Sequence, residues 1–198
     1  MDSDYGAAVF HSPPVNTTSI VEGARGPIDF WRSRREWSII YSGVYVVKLY
    51  LDVCCLNRPF DDLSQDRIQF ESDAILAIIS RCQSGKWMLM SSEAIDLELK
   101  KMPNNDKLKK VLALLSVSTE KLILNEAAIK RSEDFQRNGI KTMDSLHLAV
   151  AETSNLDVFL TTDDALLRAA SKMTLNIIVA NPVTWFMEVL QNEQHYSN

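Results

Sequence analysis

The stretch Lys48-Leu49-Tyr50-Leu51-Asp52-Val53-Cys54 constrains this chain more than any other. Apolar and aromatic residues follow one another without polar alternation and end on a carboxylate, with the turn-like Leu56-Asn57-Arg58-Pro59 behind them. Such a run suits a strand covered on both faces, as at the centre of a parallel sheet. In an open parallel sheet the ligand crevice lies beyond the carboxyl ends of the strands. Asp52 is therefore expected at the lip of that crevice. The rest of the chain can then be asked whether it brings other acids to the same edge.

A chain of 198 residues with 46% hydrophobic composition can bury one core and is expected to form one domain. Its formal charge of −5 argues against holding nucleic acid by bulk electrostatics, though not against meeting phosphate through a bound metal. The cysteines, Cys54, Cys55 and Cys82, are odd in number and two are adjacent, which suits a reducing cytosol better than a disulfide framework. No apolar run reaches the length of a membrane span, and the start Met1-Asp2-Ser3-Asp4 lacks the features of a secretion signal. The chain reads as soluble and cytoplasmic. Residues 1–46 carry Gly, Pro and Ser punctuation and no sustained period, and read as a poorly structured extension. The competing reading is a non-native start, with the true one near Val47. The domain proper is expected over 47–194.

From Val46 onward strands and helices alternate, the pattern of an α/β parallel sheet. Apolar residues recur at helical spacing from Ile68 to Cys82, and Gly85 can close that helix. Trp87–Met90 reads as a strand, and Ser92 as the cap of a helix over 93–102 that Pro103 stops. Asn105 or Asp106 caps a helix to Leu115. Strand 121–124, helix 126–137, helix 142–153, strand 158–161 and helix 164–173 follow. Strand 176–180 and helix 182–191 close the chain.

Four acids fall at chosen places. Asp52 ends its strand. Glu98 borders the apolar stripe of Ile95, Leu99 and Met102, whereas Glu93, Asp96 and Lys100 face solvent. Taken alone, Glu98 is a boundary side chain whose head reaches water. Asp144 shares the packing face of Leu148 and Ala151, and a first-turn acid behind a Thr cap is also ordinary helix-start chemistry. His147, one turn on, reads as a core or orienting residue rather than a ligand. Asp163 leaves strand 158–161 directly, and Asp164 is the expected cap of the next helix. Gathered at one sheet edge, such carboxylates repel and raise one another's pKa, a penalty that an oxygen-loving divalent cation removes. Metal-assisted phosphodiester hydrolysis is the chemistry that follows.

Leu51-Asp52, Glu98 within LELKK, Asp144 within TMDSLHLAVAE and Asp163 within FLTTDDALL together resemble a PIN domain over about residues 47–192. The resemblance implies a parallel sheet of about five strands with helices on both faces, an acidic Mg²⁺ or Mn²⁺ site, and endoribonuclease activity. It is closest in pattern to small single-domain members, many of them VapC-type toxins of type II toxin–antitoxin systems. By position it implies Asp52, Glu98, Asp144 and Asp163 as catalytic metal ligands, with RNA as substrate, an antitoxin as partner and a homodimer as a common assembly. Thr161 and Asp164 are outer-shell candidates. Such domains often carry a small polar residue where this chain has Cys54, and Asn57 is the candidate replacement. Arg58 is the favoured phosphate contact, ahead of Lys100, Lys101, Lys107, Lys109 and Lys110. The alternatives are a catalytically inert PIN-like module binding RNA or protein, and a phosphate-responsive receiver domain. The receiver reading is disfavoured because Ala180-Asn181-Pro182 offers no lysine after the last strand.

Overall fold

The structure, a computed structural model, describes residues 46–103 and 105–195. The expected N-terminal extension lies, but for its last residue, outside the described residues. The apolar run becomes β1 (Val47–Leu51), the middle strand of a five-stranded sheet in the order β3-β2-β1-β4-β5. Its partners are β2 (Trp87–Ser92), β3 (Glu120–Leu122), β4 (Val158–Leu160) and β5 (Ile178–Ala180), and every pairing is parallel. Leu49, Tyr50 and Leu51 are buried on both faces, which is why the run shows no alternation.

Two helical layers cover the sheet. Trp87, in register with Val47, meets Trp185 and Phe186 of the last helix, Pro182–His195, at ring separations of 4.9 and 6.3 Å. The Arg81 guanidinium, from the helix Asp66–Gln83, lies over Trp87 and Phe186. Tyr50 points to the other face. Its ring stacks on Phe159, and its hydroxyl reaches His147 in the helix Thr142–Thr153, against which the helix Glu126–Arg137 packs. In chain order the helices are α1 (Val53–Asn57), α2 (Asp66–Gln83), α3 (Glu93–Leu99), α4 (Asp106–Leu115), α5 (Glu126–Arg137), α6 (Thr142–Thr153), α7 (Asp164–Ala170) and α8 (Pro182–His195). Among the described residues no helix is long and apolar enough to cross a membrane.

Most boundaries follow local chemistry. Ser92 caps α3 by accepting from the Ile95 amide, and Asn105 caps α4 by accepting from Leu108. Gly85, at φ 75°, takes the left-handed position beyond α2. Four expectations need correction. Leu56–Pro59 is not a turn: Asp52 caps the single-turn helix α1, which runs into a 3-10 turn over Arg58–Phe60. Lys141, not Thr142, holds the cap position of α6, and the Thr142 hydroxyl donates to Gln136. Glu93 and Asp96 are half-buried rather than fully solvated: Glu93 accepts from the Leu124 amide at 2.9 Å, and Asp96 pairs with Lys121, while Lys100 is exposed as expected. The expected strand 121–124 is Glu120–Leu122, because Ile123 has already turned out to solvent.

One buried acid holds the carboxyl edge together. Glu71 of α2 meets Arg58 at 2.8 Å and Arg67 at 3.0 Å, and accepts from the Asn181 side chain beyond β5 at 2.9 Å. Removing one member of a buried ionic group leaves its partners uncompensated. Glu71→Ala is expected to lower the unfolding free energy by about 3 kcal/mol in a urea titration. A loss below about 1 kcal/mol would mean that these pairs behave as exposed ones.

Candidate functional site

The strand order places consecutive segments outward from β1 on one side and then crosses to β4 on the other, so the topological switch point lies between β1 and β4. A crevice at such a point is set by topology before any side chain is considered. Here the two strand ends are tied to each other. The Asp52 amide donates to the Leu160 carbonyl at 3.0 Å, and the Thr161 hydroxyl donates to Asp52 Oδ2 at 2.8 Å. The Asp163 amide in turn donates to Thr161 Oγ1 at 3.1 Å. Cys54 occupies the position expected to be small and polar. Its thiol donates to Asp52 Oδ2 at 3.1 Å and its sulfur accepts from the Thr162 amide at 3.3 Å. Asp52 Oδ1 takes the Val53 amide at 2.7 Å. Asp52 is thus buried, oriented from three directions, and supported by a thiol in place of a hydroxyl.

The other acids arrive from separate segments. Glu98 of α3 reaches His147 of α6, with Oε2 and Nε2 2.7 Å apart. Ligand atoms of Asp52, Glu98 and His147 all lie within 4.8 Å of one another. Lys141, at the start of α6, reaches Asp163 Oδ2 at 3.2 Å and Asp144 Oδ2 at 4.0 Å. Burial, and then the nearby Asp52 charge, push the Asp144 carboxyl above its ordinary range, with Lys141 pulling only partly the other way. Burial acts in the same direction on Asp163, but the Leu166 and Ala165 amides and Lys141 outweigh it and hold that carboxyl low. Lys141 is raised in turn, chiefly by its bond to Asp163. Burial pushes the Tyr50 phenol far up, so it keeps its proton.

Several sequence candidates are engaged elsewhere. Asp163, not Asp164, caps α7, accepting from Ala165 at 2.6 Å and Leu166 at 3.2 Å. Asp164 forms a two-pronged pair with Arg67 at 2.7 and 2.8 Å, which holds its carboxyl low. Arg58 is not a free cation: Glu71 and Asp61 hold it. Lys107 is paired with Asp61, Lys109 with Asp106, and Lys110 lies over the Phe60 ring. The Asn57 side chain donates back to the Val53 carbonyl, and its own oxygen is buried without a partner. Lys141 was missed in the sequence although it stands three residues before Asp144. The Tyr50 hydroxyl, which meets His147, and the Ser92 hydroxyl, which meets Tyr50, carry no motif that reveals these contacts.

The donor set suits a hard divalent cation. Two carboxylates and an imidazole, from Asp52, Glu98 and His147, lie within mutual reach, while Asp144 and Asp163 stand beside that group, joined to each other through Lys141. No family model matches the chain, and no curated protein matches it. Among solved structures it is similar to the crystal structure of VapBC2 from Rickettsia felis bound to a DNA fragment from their promoter. That likeness has 12% sequence identity and a TM-score of 0.47, covering 68% of this chain and 98% of the other.

The raised Asp144 carboxyl has a consequence for stability. Its folded pKa exceeds the unfolded one, so the charged form opposes folding at neutral pH, and stability rises as pH falls through the folded value. Asp144→Asn is therefore expected to melt a few degrees higher than the parent chain in EDTA at pH 7. A lower melting temperature would show that Asp144 contributes more through Lys141 than it costs.

Proposed function

We propose that this chain is a Mg²⁺- or Mn²⁺-dependent endoribonuclease of the PIN type, hydrolysing RNA phosphodiester bonds in the cytoplasm as the toxin half of a type II toxin–antitoxin pair. The observation that carries the reading is the meeting of acids from separate segments at the β1–β4 switch point, where Asp52 and Glu98 lie within reach of one cation. Asp52, Glu98, Asp144 and Asp163 are the proposed ligands. A divalent ion bound there supplies an activated water and offsets charge on the phosphate.

The chain's own residues do the rest. Thr161 and Cys54 orient Asp52, so its carboxylate is aimed before any ligand arrives. Lys141 is an exposed cation on the rim of the acid cluster, and phosphate can exchange with Asp163 for its ammonium. An antitoxin protein is the proposed partner, and a homodimer the proposed assembly. Asp52→Asn and Asp144→Asn are each expected to reduce Mg²⁺-dependent cleavage of a fluorogenic RNA by about 100-fold or more while the protein stays folded. Full activity in either variant overturns the assignment.

Lys141 also favours a second reading. An ammonium already seated on Asp163 neutralises part of the cluster without metal, as a catalytically inert PIN-like module binding RNA or protein would need. Calorimetry with MnCl₂ separates the two. Binding that disappears in Asp52→Asn supports the enzyme, whereas RNA binding indifferent to metal and to Asp52 supports the inert module.

A further inference from the structure

We propose that His147 is a positioning residue for Glu98, held in one orientation by a buried chain of hydrogen bonds running from Ser92 through Tyr50. The proposal rests on the reading of the acid cluster as a metal centre and adds to it a residue that no carboxylate pattern identifies. Ser92, Tyr50 and the His147 side chain are all fully buried. The Ile95 amide donates to Ser92 Oγ at 3.1 Å, Ser92 Oγ and the Tyr50 hydroxyl lie 2.6 Å apart, and the Tyr50 hydroxyl lies 2.6 Å from His147 Nδ1. His147 Nε2 then meets Glu98 Oε2 at 2.7 Å.

The hydrogens can be assigned by counting. A carboxylate only accepts, so Nε2 carries a hydrogen toward Glu98. Nδ1 is then the acceptor for the Tyr50 O–H, and the Tyr50 oxygen accepts from the Ser92 O–H. Ser92 Oγ uses a remaining lone pair for the Ile95 amide. Every hydrogen in this direction has an acceptor. In the opposite direction Nδ1–H donates to Tyr50 and Tyr50 to Ser92, and the Ser92 hydrogen has no acceptor among the bonds at that position.

Phenylalanine and leucine would fill the Tyr50 and His147 positions at no polar cost, whereas a buried polar chain is tolerable only when complete. This one starts at the α3 cap and returns to α3 at Glu98 through β1 and α6. It thereby ties the start of that seven-residue helix to the orientation of the acid near its end. Glu98 is about one-third exposed, and its Oε2 is held by His147. Hydrogen bonds to ligating groups of this kind alter metal affinity by about 10- to 100-fold.

The test is calorimetry of the full chain with MnCl₂ and with MgCl₂, with melting temperatures recorded alongside. His147→Leu is expected to weaken both ions by a similar factor of about 10 to 100. His147→Gln, whose amide can still donate to Glu98, is expected to recover most of the loss. Parental affinity in His147→Leu overturns the proposal, and so does a Gln variant as weak as the Leu variant, since packing alone would then account for the effect. A loss confined to Mn²⁺, or nitrogen coupling to bound Mn²⁺ in its electron-spin echo spectrum, makes His147 a direct ligand and likewise overturns it. If His147→Leu does not fold, Tyr50→Phe removes only the oxygen that orients the imidazole, and unchanged metal affinity there overturns the proposal. Absence of metal binding by the parent chain itself would sink the metal-centre reading and this inference with it. Binding that Asp52→Asn abolishes and His147→Leu leaves intact sinks this inference alone.

Discussion

The rest of the molecule depends on how β1 and β4 are joined where they end. The Asp52 amide completes the ladder to Leu160, and the Asp52 carboxylate receives the hydroxyl of the residue that follows β4. The same side chain caps α1, so one residue closes a strand, opens a helix and faces the crevice. A carboxylate so engaged has little freedom to move away when other acids approach. Burial first, and then the fixed Asp52 charge beside it, raise the proton affinity of Asp144.

The acids near this edge divide by their partners. Glu71 and Asp164 are matched to Arg58 and Arg67, and serve to fasten the 3-10 turn after α1, α2, α7 and the segment after β5. Among the described residues Asp52 and Glu98 meet no arginine: hydroxyl, thiol and imidazole groups hold them instead. Guanidinium groups satisfy a carboxylate with fixed, charge-assisted bonds, whereas neutral donors orient it and leave its charge uncancelled. Lys141, on a long exposed side chain, instead meets Asp163 and approaches Asp144.

The helix-capping chemistry of the site segments is shared with their placement. Asp163 accepts two amides at the start of α7 with one oxygen and turns the other toward Lys141. Ser92 caps α3 and also terminates the hydrogen-bond chain through Tyr50 to His147. Local helix-start signals and the crevice therefore coincide because helices that follow strands of a parallel sheet all begin at the same edge.

By itself the sequence determined the alternation of strands and helices, the burial of β1, the caps at Ser92 and Asn105, and the acids standing at strand ends and helix starts. These follow from periodicity and local hydrogen bonding, which act over a few residues. The pairing of Arg58 with Glu71, of Arg67 with Asp164 and of His147 with Glu98, and the seating of Lys141 beside Asp163, were decided only by tertiary structure. A side chain's partner across tens of residues depends on strand order and helix packing, and no local pattern carries that information. Arg58 shows the difference plainly. Its position after Asp52 suggested a cation for the crevice, and a buried glutamate on the next long helix claimed it instead.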